Sequence, residues 1–259
     1  MQTGRVIDHI VEWLKQYCEQ AGTGGYVIGV SGGIDSAVTS TLCAKTGKSA
    51  IVVNMPILQV PQQVTLARNH IRWLAKHFAN VTPENIDLTG VFRVFIQALP
   101  EDARSDLALA NSRARLRMTA LYAMATHHKM LVAGTGNKVE DFGVGFFTKY
   151  GDGGVDVSPI ADLLKTEVYE IARHLGINQE IMDSPPTDGL WADSRTDENQ
   201  IGATYPELEW AMSVDGPDLD ENGLSERQQE VLKIYRRFNR ANRHKMEPIP
   251  ICRIPDNLR

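Results

Sequence analysis

Residues 26–36 read Tyr-Val-Ile-Gly-Val-Ser-Gly-Gly-Ile-Asp-Ser, and the reading of this stretch decides the fold. Tyr26 to Val30 is a short apolar run of the kind found in strands buried on both faces. Ser31 to Ser36 follows at once, and a helix is expected from Asp35 to Lys45. A loop that delivers a strand into a helix start points backbone N–H groups at an anion, helped by the helix dipole. Gly32 and Gly33 let a ligand approach the main chain closely, and Ser31 and Ser36 add hydroxyl donors. The loop lacks the GxxxxGK[ST] pattern of a Walker A sequence. In place of a lysine it carries Asp35, and a carboxylate beside phosphate makes sense when Mg²⁺ bridges the two.

Working outward, Ser49–Met55 (SAIVVNM) is a second strand, Asn85–Leu88 a weak one, and Met130–Ala133 a third confident one. Helical spacing separates them. Val6, Ile10, Trp13, Leu14 and Tyr17 mark a first helix over 5–20, and further helices are expected over 63–78 and 91–99. Leu107, Ala110, Ala114, Met118, Leu121 and Ala125 form the buried stripe of a long helix, and another helix spans 163–175. Polar, Pro-containing loops occupy 183–202. The last helix starts at Ser225, with Gln228 in capping-box position. Strands alternating with helices predict an α/β fold, a doubly wound parallel sheet with helices on both faces. Such sheets bind ligands at the carboxyl ends of their strands, where the strand order reverses.

The 259 residues read as one unit, 1–259, with no internal repeat. The hydrophobic fraction of 42% and charged fraction of 23% suit a globular chain with a substantial core. No apolar run is long enough to span a membrane, and the N-terminus has no secretory h-region. A net charge of −5 argues against general nucleic-acid binding. Cys18, Cys43 and Cys252 are odd in number and far apart, so reduced thiols in a cytoplasmic protein are expected.

The SGGxDS run after an apolar strand resembles the signature of the N-type ATP pyrophosphatases, which cleave ATP between the α and β phosphates and pass AMP to an oxygen nucleophile. Within that family the remaining motifs look like those of the NAD synthetases. They are Gly134-Thr-Gly-Asn-Lys-Val-Glu140, Gly145-Phe-Phe-Thr-Lys-Tyr-Gly-Asp-Gly-Gly154, Pro159-Ile-Ala-Asp-Leu-Leu-Lys-Thr166, Arg195-Thr-Asp-Glu198 and His244-Lys245. The resemblance runs from the first helix to His244-Lys245. It implies an adenine nucleotide alpha hydrolase-like fold and ATP-dependent amidation of deamido-NAD to NAD through an adenylated carboxylate.

The resemblance also implies roles for single residues. Gly29, Val30, Ser31, Gly32, Gly33, Ile34, Asp35 and Ser36 would hold the ATP phosphates, with Thr135, Lys165 and Thr187 also at ATP. Asp35 and Glu140 would bind Mg²⁺. Arg115, Lys149, Asp156, His244 and Lys245 match positions that contact deamido-NAD. Lys165 and Asp35 would stabilise transition-state charge, and no residue would form a covalent bond. Homodimers are implied as well. Asp197 and Glu198, flanked by Gly189 and Gly202, could order over the intermediate. Asp152 reads as a turn cap, Arg113 and Arg117 as structural. Arg195 receives no role, and Met246 stands where many members carry Arg.

Ammonia is the expected nitrogen source, because the ATP loop is reached by residue 36 and leaves no room for a glutaminase domain before it. Three other readings remain open: a tRNA-modifying pyrophosphatase, a GMP synthetase, and a non-catalytic nucleotide sensor in which Asp35 and Glu140 would be dispensable.

Overall fold

The computed structural model describes residues 1–187, 189–190 and 195–259. Four parallel strands form the sheet: β1 (Gly25–Gly29), β2 (Ser49–Asn54), β3 (Val81–Asn85) and β4 (Leu131–Val132), in the order β3-β2-β1-β4. The chain starts in the middle, moves outward to β3, and returns to place β4 on the other side of β1. The reversal therefore falls between β1 and β4, and the loops after these two strands meet there.

Period-two alternation sorts the strand side chains. Tyr26 and Ile28 of β1 and Ala50 and Val52 of β2 face one core, with Leu14, Leu42 and Ile171. That layer is built from α1 (Thr3–Gln20), α2 (Ile34–Lys45), α3 (Pro61–His77) and α6 (Lys165–Leu175). Val27, Ile51 and Val53 face a second core with Phe92 of α4 (Thr89–Ala98) and Met118 and Leu121 of α5 (Asp106–His128). Both faces of the sheet are thus covered, as the sequence implies. No helix among the described residues is long and apolar enough to cross a membrane.

A third apolar cluster lies beyond β4. It joins a π-helical turn (Val139–Val144) to α8 (Asp197–Ile201), α9 (Tyr205–Val214) and α10 (Glu226–Met246), through Val139, Leu208, Val231 and Tyr235. Asn239 and Asn242 of α10 donate to the carbonyls of Gly143 and Val144 at 2.8 Å each, so α10 braces the turn. The Ser225–Gln228 capping box is present.

Three expectations need correction. The weak strand lies at Val81–Asn85, ahead of the expected 85–88. It is the edge strand of the sheet, so Pro83 is tolerated and only Val81 is buried. The polar stretch 183–202 holds a helix, α8, although residues 188 and 191–194 of it lie outside the described residues. Two further helices, α7 (Gln179–Met182) and α9, had not been anticipated. A signal for α9 was present: Thr204 and Glu207 form a capping box with Pro206 in the first turn.

Candidate active site

A cavity of about 420 Å³ opens at the carboxyl ends of β1 and β4. Gly29 to Ser36 form its floor, and Thr135, Glu140, Lys165 and Thr187 contribute to its walls. Every residue expected at ATP therefore faces one space, as does each expected metal ligand. Hydrogen bonds within the loop fix the shape of this floor. Ser36 Oγ donates to the Gly33 carbonyl at 2.9 Å, and the Ser31 and Gly33 N–H groups donate to Ser36 Oγ and Ser31 Oγ at 3.2 Å each. Gly32 has φ +94°, and a Cβ there would lie 2.6 Å from the Gln63 carbonyl oxygen. The loop passes too close to α3 for any other residue.

Lys165, the first residue of α6, stands at the centre and is only 2% exposed. Its Nζ donates to Asp35 Oδ2 at 2.5 Å and to Glu140 Oε1 at 3.0 Å. Asp35 comes from the start of α2 and Glu140 from the π-helical turn just before α6, so three elements meet on one nitrogen. Asn137 donates to Asp35 Oδ1 at 3.2 Å, while its own Oδ1 accepts the N–H groups of Val139 and Glu140 at 3.1 Å. A single fully buried amide thus ties both carboxylates to one frame.

Electrostatics follow from the burial. Loss of water pushes the Asp35 carboxyl up; Lys165 pulls it back and Glu140 pushes it further. Burial works against the Lys165 ammonium, but Asp35 and Glu140 outweigh it and keep the lysine charged. Asp35, Glu140 and Asp197 outnumber the one ammonium among them, so a divalent cation would meet favourable charge. Asp35 Oδ2 and Glu140 Oε1 both lie within 3.0 Å of one nitrogen, so one small ion could reach both. No group of three or more metal-binding side chains is gathered among the described residues. Two carboxylates, Asp35 and Glu140, match the one or two that usually hold Mg²⁺ alongside phosphate oxygens and water.

Several residues were missed or underrated from sequence. Tyr205 donates to Glu140 Oε1 at 2.5 Å and to Asp197 Oδ2 at 3.1 Å. Burial, then Glu140 and Asp197, hold its phenol protonated. Arg117 lines the cavity and donates to the Met55 carbonyl at 2.9 Å, while Arg113 reaches the Leu190 carbonyl and lies 4.9 Å from the centre of the Phe92 ring. Both serve structure as expected, and Arg117 reaches the cavity as well. Asp152 caps its turn by accepting Thr148 N–H at 3.0 Å, and it also lines the cavity. Burial pushes its carboxyl up to about 6.

None of the five residues expected at the second nucleotide lines this cavity, and four of them cluster beside it. The loop 145–154 packs on α5, where Asn111 accepts from Thr148 Oγ1 at 2.6 Å and Arg115 Nε donates to the Lys149 carbonyl at 3.2 Å. Lys149 Nζ donates to the His244 carbonyl at 2.6 Å, and Lys245 Nζ to the Phe147 carbonyl at 2.7 Å. Burial lowers the pKa of the Lys245 ammonium, and Asp152, on the cavity wall, works against that shift. Asp156 lies apart: it accepts Val132 N–H at 2.8 Å and the Tyr122 hydroxyl at 3.0 Å, and borders a separate open depression. Thr187 closes a local turn, accepting Gly189 N–H at 3.2 Å and donating to the Arg195 carbonyl at 3.1 Å. Asp197 and Glu198 both turn inward onto α9.

The NAD synthase family model matches residues 6–249. The NH(3)-dependent NAD(+) synthetase of Methanosarcina mazei is 36% identical over 255 residues, covering 94% of this chain and 96% of the relative. That of Syntrophomonas wolfei subsp. wolfei is 36% identical over 266 residues, covering 100% of both. Among solved structures, the NMN synthetase of Francisella tularensis superposes with a TM-score of 0.84 at 29% identity, covering 99% of each chain. The chain belongs to the NAD synthase family.

Proposed function

We propose that this protein forms NAD from deamido-NAD, ATP and ammonia, acting as one unit over its 259 residues. The observation that carries the reading is the buried Lys165 held between Asp35 and Glu140 at the lip of a phosphate-binding loop. The nicotinate carboxylate attacks the α-phosphate and pyrophosphate leaves; ammonia then attacks the adenylated carbonyl carbon and AMP leaves. Gly32, Gly33 and the α2 N-terminus receive phosphate oxygens, with Thr135 and Thr187 at the nucleotide. Lys165 neutralises charge gathering on the departing pyrophosphate. Asp35 and Glu140 would hold Mg²⁺, whose charge would offset that of the phosphates.

Arg115, Lys149 and Lys245 supply the cationic donors of a seat for the second nucleotide's phosphates, with His244 among them, and Asp156 buttresses β4 apart from that cluster. Ammonium must lose one proton to attack and a second as the amide forms. Asp152, buried on the cavity wall with its carboxyl raised to about 6, is the side chain suited to accept one. The resemblance to homodimeric synthetases supports a homodimer here, and the buried free thiols of Cys18 and Cys43 support a cytoplasmic location.

A second reading shares this chemistry but takes nicotinate mononucleotide, supported by the similarity to the Francisella tularensis NMN synthetase. The curated relatives at 36% identity over nearly the whole chain are NH(3)-dependent NAD(+) synthetases, which favours the dinucleotide. Purified protein with ATP, Mg²⁺ and ammonium is given each substrate in turn, and NAD, NMN and AMP are measured. A larger kcat/KM for deamido-NAD supports the proposal. Preference for the mononucleotide moves the conclusion to the second reading, and turnover of neither defeats both.

A further inference from the structure

We propose that Tyr205 is a positioning residue that couples cation binding at Glu140 to the seating of α8. The inference rests on the reading of Asp35 and Glu140 as the metal carboxylates. Tyr205 sits in the first turn of α9, is 3% exposed, and is locked there by the Thr204–Glu207 capping box. Its ring lies 4.6 Å from Lys165 Nζ. Its hydroxyl is within hydrogen-bond reach of two carboxylates, Glu140 Oε1 at 2.5 Å and Asp197 Oδ2 at 3.1 Å.

A phenol has one proton, so it donates fully to only one of these at a time. In the structure described, the shorter contact is to Glu140, on the same oxygen that accepts from Lys165. When Glu140 gives that oxygen's lone pairs to a divalent cation, it becomes a poorer acceptor. The phenol proton then turns to Asp197.

Asp197 is the first residue of α8, and its N–H donates to the Pro186 carbonyl at 3.0 Å. Pro186, Thr196 and Asp197 all line the nucleotide cavity. A stronger Tyr205–Asp197 bond therefore fastens one wall of that cavity when the metal–nucleotide is present. Glu198 supports the same join by accepting the Tyr205 N–H at 3.0 Å. The coupling acts through a single hydroxyl hydrogen, which makes it separable from the packing of the ring.

The test is hydrogen exchange by mass spectrometry on the full chain, with ATP alone and with ATP plus Mg²⁺, for wild type and Tyr205→Phe. In wild type, Mg²⁺ is expected to slow exchange in α8 by about tenfold beyond ATP alone, a typical size for coupled sites. In Tyr205→Phe that increment should fall below about threefold while Mg²⁺-dependent protection of residues 31–36 persists, and the Mg²⁺ concentration for half-maximal activity should rise about tenfold. Should the Phe protein not fold, Asp197→Asn carries the same comparison and the same expected loss. An unchanged α8 increment in either folded variant overturns the coupling. So does a wild type that protects residues 31–36 without protecting α8, while leaving the metal site standing. If Mg²⁺ protects neither segment of wild type, the metal reading and this inference fall together.

Discussion

Replacing Lys165 by Met retains most of the side-chain volume and removes the charge that Asp35 and Glu140 share. The Lys165 side chain is 3% exposed and those of its partners 17% and 16%, at 2.5 and 3.0 Å. Breaking a buried pair by removing one partner costs roughly 3–5 kcal/mol. The lower end, about 3 kcal/mol, applies here because both carboxylates retain some contact with solvent and can take up a proton. For a chain of this size that is a fall of about 6–12 °C in melting temperature.

Catalysis should suffer more, because the lysine faces charge that grows in the transition state: a drop of about 10²–10³ in kcat/KM. The two effects separate with Mg²⁺. Freed of the ammonium, the carboxylates bind the ion more strongly, and saturation at a hundred times Kd returns about 2.7 kcal/mol of stability. The variant should therefore gain more melting temperature from Mg²⁺ than wild type does, without regaining activity. Thermal scans with and without Mg²⁺ and steady-state kinetics check this. A Lys165→Met protein that melts no lower than wild type without Mg²⁺, or keeps activity within about threefold, would refute the reasoning.

Gly32→Ala is expected to weaken ATP binding more than about tenfold by titration calorimetry, because the new Cβ meets the Gln63 carbonyl at φ +94°. His70 is buried against Ser40 Oγ at 3.1 Å, and burial lowers its ring from 6.5 to about 4. The unfolded chain binds its proton first, so wild type should lose roughly 3 kcal/mol as pH falls from 6.5 to about 4. His70→Gln should remove that part of the acid sensitivity in urea titrations at pH 7 and 4.5. Asp152 has the opposite sign. Its carboxyl is raised from 3.8 to about 6, so stability held below the lower value is lost as pH rises through the higher one. Asp152→Asn should then gain up to roughly 3 kcal/mol relative to wild type between pH 4 and 7, while losing about 10²–10⁴ in turnover.

Much of the architecture was legible because its signals are local. The apolar runs of β1 and β2, the glycines of the phosphate loop and the Ser225–Gln228 box each act within a few residues, where spacing and steric limits decide. Asn111 and Arg115, one helical turn apart on α5, hold successive residues of one loop, Thr148 and Lys149. The edge strand β3 was misplaced because Thr82, Pro83 and Glu84 carry no apolar pattern; only the hydrogen bonds offered by β2 make them a strand. The helix α9 was missed although its cap was written in Thr204 and Glu207.

Spacing and composition can name Asp35, Glu140 and Lys165 as polar residues after strands or at helix starts. They cannot say that carboxylates 130 and 25 positions from Lys165 along the chain converge on its nitrogen, since that follows from the return of the chain to place β4 beside β1. Nor could they separate Tyr205 from other buried aromatics, or show that Asp152 faces the cavity as well as its turn. Local chemistry is set by neighbours in sequence, and it wrote the elements and the loop. Burial, shared protons and shifted carboxyls depend on neighbours in space, and the packing of α6, α9 and the π-helical turn alone supplied those.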